Sequence, residues 1–306
     1  MTTPSSTMPQ SFEARPASAT LPTHLFYWSV RRELYEYRAA YLALFAIGGV
    51  TIIALMFVVA QLPHRMRNAM AMNMMYHRDN IGHPFDIAAG VIMLAAFIIS
   101  IFYSLDALYG ERRDRSILFW KSLPVSDLTT VMAKASIPLL VLPVIAYAVT
   151  LAVETIMLLL SSVVVAASGL SLADFWSRLQ LYHGMFGLGY HIFTVHMLWY
   201  APLYAWVLLI SAWAKRVPIL WLVLPPFAVV MFEQIAFHTN HFLNFLAWRF
   251  SGGREAITNA QGNVLDPEMH LTPGPFLATP GLWIGLLCAA VFLLAAARLR
   301  RQRAPL

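Results

Sequence analysis

Charged side chains are scarce in this chain of 306 residues. Only 12% of the residues are Asp, Glu, Lys or Arg, whereas 59% are apolar. An ordinary soluble domain carries about 25% charged residues, so the composition excludes a water-soluble globule. It also excludes a disordered chain, because so many apolar side chains must be buried or enter lipid. The composition therefore predicts an all-α, polytopic membrane protein.

Cysteine and lysine are also rare, and several motifs are missing. A single cysteine, Cys288, allows neither a disulfide within the chain nor a thiolate metal cluster. The three lysines, Lys121, Lys134 and Lys215, belong to no phosphate-binding loop of the form G-x-x-x-x-G-K-[ST]. The patterns H-E-x-x-H and G-x-S-x-G do not occur. We therefore expect a non-catalytic chain with no metal site and no cofactor of its own.

Long uncharged runs predict the membrane-spanning helices. About 20 apolar residues cross the hydrocarbon core of a bilayer. The predicted transmembrane domain covers residues 39–298, with helices at about 39–61, 86–109, 135–167, 193–214, 217–237 and 276–297.

The third run leaves two interpretations open. It contains one charge, Glu154, and is either one long tilted helix or two spans that meet at that residue. The distribution of Lys and Arg favours one helix, because basic residues accumulate on the cytoplasmic side. Six spans with both termini inside place fifteen basic residues in the cytoplasm and six outside, and a seventh span would reverse this bias. The basic residues are scattered between apolar runs, so nucleic acid is not the expected partner.

Three further segments lie outside the predicted spans. Residues 1–22 are rich in Ser, Thr, Pro and Ala and are expected to form a disordered cytoplasmic tail. Residues 23–38 place apolar and charged side chains on opposite faces, as in a helix that lies in the membrane interface; the alternative is the solvated start of the first span. Residues 299–306 form a basic cytoplasmic tail.

The segment between the second and third predicted spans combines large apolar side chains with charges. Asp114 is predicted to cap a short helix that ends before Pro124, and Ser126 to cap the next one. The short helix would expose Ile117 and three further apolar residues beside Glu111 and other charges, which indicates a surface that a partner or headgroups bury. The alternative is a set of positive-inside residues with an interfacial Trp anchor. The predicted interface consists of Glu111, Arg112, Arg113, Asp114, Arg115, Leu118, Phe119, Trp120, Leu123 and Pro124.

These residues resemble a motif of the membrane subunits of ABC-2 type ATP-binding-cassette transporters. In that family a Glu-Arg pair after the second span leads through an apolar helix to a Leu-Pro-Val-Ser turn, and a Lys precedes the third span. This chain has Glu111-Arg112, then residues 123–126 with the sequence Leu-Pro-Val-Ser, then Lys134. The Gly-Thr often found a few residues after the Glu-Arg pair is replaced, within 114–116, by Asp-Arg-Ser. The resemblance covers most of residues 24–300.

The resemblance implies a function and partners. The segment after Glu111-Arg112 would be a cytoplasmic coupling helix seated in a groove of a separate ATPase subunit, which would bind the ATP and Mg. The chain would be a permease subunit, an exporter in the bacterial inner membrane, paired with a second copy or with another permease and surrounded by lipid. The region between the last two spans would form an external lid, and residues 241–250 are predicted to be a short helix there.

Several residues inside the spans are further candidates. Glu154 and Glu233 are candidates for contact with substrate or a cation in a pathway, or for structural hydrogen bonds between helices. Pro225 and Pro226 are predicted to kink or interrupt the fifth span. Two other classes of function stay open: a cation- or proton-coupled carrier that uses the two glutamates, and an intramembrane enzyme or haem-binding redox subunit that uses the histidines.

Overall fold

The chain is all-helical in a computed structural model, which describes residues 22–71, 79–122, 125–179, 181–251 and 276–302; no strand occurs in these ranges. The helices of the first half are α1 (Pro22–Glu36), α2 (Arg38–Ala71), α3 (Asp79–Ala107), α4 (Tyr109–Arg113), α5 (Ile117–Lys121), α6 (Asp127–Ser136) and α7 (Leu142–Ala167). Those of the second half are α8 (Leu172–Leu179), α9 (Leu181–His191), α10 (Ala201–Trp213), α11 (Pro218–Phe237), α12 (His241–Phe250) and α13 (Pro280–Gln302).

Within the residues that the structure describes, five helical stretches are long and apolar enough to cross a membrane, and a bent pair makes a sixth if it counts as one span. The five are Arg38–Asn68, His83–Arg113, Asp127–Ala167, Pro218–Phe237 and Pro280–Gln302. These are the features of a multi-pass membrane protein, as the composition predicts. The bent pair is Phe186–Trp199 followed by α10, with an angle of 47° between them.

The third apolar run is continuous through Glu154. A π-helical turn, Ile137–Val141, joins α6 to α7, and the helix then runs to Ala167 without a turn at the glutamate. Pro138 lies in the π-helical turn and Pro143 follows it at the start of α7. Since proline lacks the amide hydrogen of a regular helix, the change of helix type falls where the prolines are.

The core lies between α2, α3 and α7, and α10 packs along α13. Leu44, Ile92 and Met157 are fully buried at the centre of this core. Helices α2 and α7 approach closely at Gly48, where an added Cβ would lie 2.6 Å from Val149 Cγ1. Small residues permit such close helix packing in membrane proteins.

Helix α11 has no buried residue, although it is long and apolar enough to cross a membrane. It follows the turn at Lys215 and Arg216, after which Val217 has a φ of 43°. This left-handed backbone is unfavourable for a β-branched residue. The helix is continuous through Pro225 and Pro226, so the structure has no interruption there.

Candidate functional site

Four ionisable side chains from four helices meet at one end of the bundle. Lys134 of α6 lies between two carboxylates, with its Nζ 3.0 Å from Glu33 Oε2 and 3.2 Å from Glu111 Oε1. Arg300 of α13 reaches Glu111 from the other side, with its Nη2 3.2 Å from Glu111 Oε2. All four side chains are buried. We call Glu33, Glu111, Lys134 and Arg300 the ion cluster, and the end of the bundle that contains it the charged end.

Two further residues border the ion cluster and balance its charge. Arg32 contacts both Glu33 and Glu111, the latter at 3.3 Å, and Asp127 pairs with Arg300. Together with these two residues, the group contains three carboxylates, Glu33, Glu111 and Asp127, and three cations, Arg32, Lys134 and Arg300. Tyr103 also donates its hydroxyl to Glu33 Oε2 at 3.0 Å. The charges therefore have direct partners, which a buried ion requires if it is to stay ionised.

Electrostatics keeps Glu33 ionised although it is buried. Burial by itself raises the pKa of this carboxyl, but the charges of Lys134 and Arg32 and the hydrogen bonds from both outweigh burial and lower the pKa below its usual value. Glu33 belongs to α1, which precedes the first candidate span. This helix is thus held to the bundle by a carboxylate that remains charged at neutral pH.

A second set of contacts joins α4 and the residue before it to the end of α10. Arg112 Nη2 donates to the carbonyl oxygens of Ser211 at 2.9 Å and Ala214 at 2.6 Å, which are free at the end of α10. Ser211 Oγ donates to Leu105 O at 2.7 Å and accepts from the backbone N–H groups of Leu108 and Tyr109. The joint between α3 and α4 is thereby fixed to α10.

The short helix α5 is anchored on one side and exposed on the other. Ile117 is 1% exposed, and the indole ring of Trp120 lies against the guanidinium of Arg32, 3.9 Å from ring centroid to Cζ. Leu118 and Phe119 are each 61% exposed. The prediction that Ile117 is exposed is therefore wrong: residues 117 and 120 are one turn apart and share the face toward the bundle. The exposed apolar surface of α5 consists of Leu118 and Phe119.

The predicted interface residues divide into buried and exposed sets. Glu111 and Arg112 are buried among the contacts described above, whereas Arg113, Asp114 and Arg115 are exposed. Arg113 Nε lies 2.9 Å from Asp114 Oδ1, and this hydrogen bond lowers the pKa of the Asp114 carboxyl. Residues 123 and 124, Leu and Pro, lie outside the described residues.

The turn between α4 and α5 contains an unusual backbone conformation. Arg115 has a φ of 58°, in the left-handed region that glycine adopts without strain. The prediction that Asp114 caps α5 is wrong, because Asp114 ends α4 and Ser116 precedes α5 without a side-chain cap. The prediction for Ser126 is confirmed: its Oγ accepts from Thr129 N at 3.0 Å and caps α6.

The two membrane glutamates are in different situations. Glu154 is 8% exposed, and its Oε2 has no hydrogen-bond partner in the described part of the chain. Glu233 accepts from the backbone N–H groups of His241 at 2.6 Å and Phe242 at 2.8 Å, and from Thr239 Oγ1. It therefore caps α12, which is the role of a structural carboxylate.

Helix α12 is held to its neighbours by an arginine. The predicted helix over residues 241–250 is confirmed. Arg249 Nη2 donates to Trp199 O at 2.6 Å, and Nη1 donates to Gly281 O at 3.2 Å. A Cβ at Gly281 would lie 2.5 Å from the ring of Trp248. Glycine at this position thus leaves the space into which α12 packs against α13.

One buried histidine has a clear structural partner. His196 is buried and pairs with the hydroxyl of Tyr204 at 3.0 Å. Among the described residues no three His, Cys, Asp or Glu side chains are grouped as metal ligands would be.

Two of the four residues of the ion cluster, Glu33 and Arg300, were not predicted from the sequence. The motif singled out Glu111 and Lys134 but not Glu33, Arg300, Arg32, Asp127 or Ser211 as members of one site. The one available signal was the placement of these charged residues at the ends of apolar runs. Comparison with protein-family models, with curated proteins and with solved structures found no match to this chain.

Proposed function

We propose that this chain is the membrane-spanning subunit of an ABC-2 type exporter, driven by a separate ATPase subunit that docks on α5. The observation that carries the proposal is the exposed pair Leu118 and Phe119, which projects from a short helix anchored to the bundle. Two large exposed apolar side chains that closely follow the exposed residues Arg113, Asp114 and Arg115 in the chain form a compact surface of the kind that a protein partner buries.

The contacts behind α5 support a role in transmitting force. Trp120 packs on Arg32, and Glu111 just before α5 belongs to the ion cluster. A push on α5 from a bound ATPase would therefore reach α1, α6 and α13 together. Rigid, packed contacts of this type are the means by which a displacement travels between helices.

The proposal includes an orientation and an assembly. Both termini and the charged end face the cytoplasm of a bacterial inner membrane, and two permease subunits, identical or different, form the pathway between them. ATP and Mg bind to the ATPase subunits. The distribution of basic residues supports this orientation.

Copurification tests the docking surface. An ATP-binding-cassette ATPase of the host cell should copurify with this chain, and the double variant Leu118→Ala, Phe119→Ala should weaken its binding roughly 30-fold or more, since a buried anchor contributes about 2 kcal/mol. The matched control is Leu128→Ala, Met132→Ala on α6, two apolar residues of the same end that are 44% and 43% exposed. Absence of any such ATPase from the purified protein, or equal binding by both double variants, would refute the proposal.

Labelling tests the orientation. In a background with Cys288→Ser, a membrane-impermeant maleimide added to intact cells should label Arg67→Cys. It should label Ser122→Cys only after the cells are permeabilised. Both positions are exposed. The opposite pattern would place the charged end outside the cell.

A second candidate is a cation- or proton-coupled carrier, favoured by the unpartnered oxygen of Glu154. A carrier that binds its coupling ion at Glu154 would lose uphill transport with Glu154→Gln. A permease in which Glu154 is structural would retain ATP-driven transport, because the amide preserves hydrogen bonding; Glu154→Lys would impair both by adding a buried cation.

A further inference from the structure

An apolar groove of about 300 Å³ separates α11 from α10 and α13. Three tryptophans line it, Trp206 and Trp213 on α10 and Trp221 on α11, together with Pro225 and Leu299. Trp213 and Trp221 meet edge to face, 4.7 Å between ring centroids, at the end nearest the turn between α10 and α11. Trp213 follows Trp206 by seven positions, which is a rise of about 10 Å along a helix, so the groove follows α10 over about that length.

Exposed basic residues lie at this turn and near Leu299 in the chain. Lys215 and Arg216 form the turn itself, Arg298 precedes Leu299, and Arg301 follows it by two positions on the last turn of α13. All four are exposed, and none has an ion pair among the residues that the structure describes. The basic residues of the ion cluster, in contrast, are already matched by carboxylates. The turn at one end of the groove therefore carries two cations, Lys215 and Arg216, that no carboxylate of the described residues matches.

The walls of the groove and the cations beside it indicate what can occupy it. A helix from a second copy is the alternative occupant, which cross-linking tests. A free phosphate or other small anion would gain nothing from the tryptophan walls. A flexible hydrocarbon chain fits a narrow apolar groove, and a negative headgroup fits the cations at its end.

We propose that this groove binds an anionic phospholipid, with one acyl chain between α10, α11 and α13 and the phosphate held by Lys215 and Arg216. The lipid belongs to the leaflet at the charged end of the bundle. It fills the gap that the packing of α11 leaves, and so connects a helix without buried residues to the rest of the protein. This inference requires only that the chain lies in a membrane and is independent of any ATPase.

The test measures lipid retention by the purified full-length protein in detergent, using native mass spectrometry. The probes are dioleoylphosphatidylglycerol and dioleoylphosphatidylcholine, which differ in headgroup charge but share acyl chains, and glycerol phosphate, which lacks acyl chains. The wild type should retain the anionic lipid roughly 10- to 30-fold better than the zwitterionic one, and glycerol phosphate should not compete. Equal retention of both lipids, or displacement by glycerol phosphate, would overturn the proposal.

Variants separate the groove from a general attraction of anionic lipid. The double variant Lys215→Gln, Arg216→Gln should lose the preference, and Leu209→Trp, which fills the groove, should lower retention of both lipids. Arg113→Gln removes an exposed cation from the same end and should retain the preference. Each variant is compared at equal monodispersity, so a misfolded variant is recognised.

Cross-linking tests the alternative that a second copy of the chain occupies the groove. With Cys288→Ser, Trp221→Cys should form little disulfide between copies in the membrane. Efficient cross-linking at this position would assign the groove to a second copy and overturn the lipid proposal.

Discussion

Lys134 and Glu33 lie 3.0 Å apart, Nζ to Oε2, although 101 positions separate them in the chain. The pair joins the helix before the first candidate span to the start of the third. Both side chains are at most 1% exposed, so neither charge is solvated by bulk water. Their attraction is therefore little screened by salt, unlike that of a surface pair.

Lys134→Met should destabilise the protein strongly. It leaves the carboxylates of Glu33 and Glu111 without their shared cation, and breaking a buried ion pair on one side costs roughly 3–5 kcal/mol. The melting temperature in detergent measures the effect. The double variant Glu33→Gln, Lys134→Met should recover part of the loss, because it removes a charge of each sign. If the single variant melts like the wild type, the ion cluster does not contribute to stability.

The ion cluster should also make stability depend on pH. The folded pKa of Glu33 is lowered, so its contribution is complete above the unfolded value of about 4.5 and is lost as pH falls through the folded pKa. The melting temperature of the wild type should therefore fall below about pH 4.5 more steeply than that of Glu33→Gln. Parallel curves for the two proteins would show that Glu33 is not ionised in the folded state.

Gly48 and Gly49 form a matched pair on α2. A Cβ at Gly48 would lie 2.6 Å from Val149 Cγ1, whereas a Cβ at Gly49 would have no neighbour within 4 Å. Gly48→Ala should destabilise the protein by about 1–3 kcal/mol through overpacking. Gly49→Ala should be neutral or slightly stabilising, since alanine favours the helix. Thermal unfolding of the two variants side by side checks the close contact between α2 and α7.

Arg115→Gly should stabilise the turn between α4 and α5. The left-handed conformation at Arg115 costs an ordinary residue about 1 kcal/mol, and glycine adopts it freely. Gly in the unfolded chain has more conformational freedom, so the net gain is below that figure. Arg113→Gly, at a helical position with ordinary backbone angles, is the control and should destabilise. The ABC-2 type membrane subunits that this stretch resembles often have Gly-Thr here. A lower melting temperature for Arg115→Gly than for the wild type would show that the turn is not strained.

Local patterns in the sequence predicted much of the fold. Apolar runs identified the long helices, and the uninterrupted sequence around Glu154 favoured the continuous helix that the structure has. The apolar face of residues 241–250 predicted α12, and the serine at 126 predicted the cap of α6. Each of these features depends on neighbours within a few positions.

Local patterns could not predict contacts between residues that are far apart in the chain. The partners of Glu111 are at positions 32, 134 and 300, and no periodicity connects them. The burial of Ile117 depends on how α5 is rotated against α1 and α4, which a five-residue helix does not encode. The separation of α11 from the bundle was equally hidden, because its composition matches that of a packed span.

The ion pair between Glu111 and Arg300 of α13 also has a consequence for biosynthesis. Helices are made in chain order, so Lys134 and Arg32 can meet Glu111 long before Arg300 leaves the ribosome. Until α13 inserts, Glu111 and Asp127 lack their common guanidinium, and a chain that stalls at this stage retains an excess of negative charge at a buried position. Completion of the ion cluster therefore requires α13 to be in place, and it distinguishes a fully inserted chain from an arrested one.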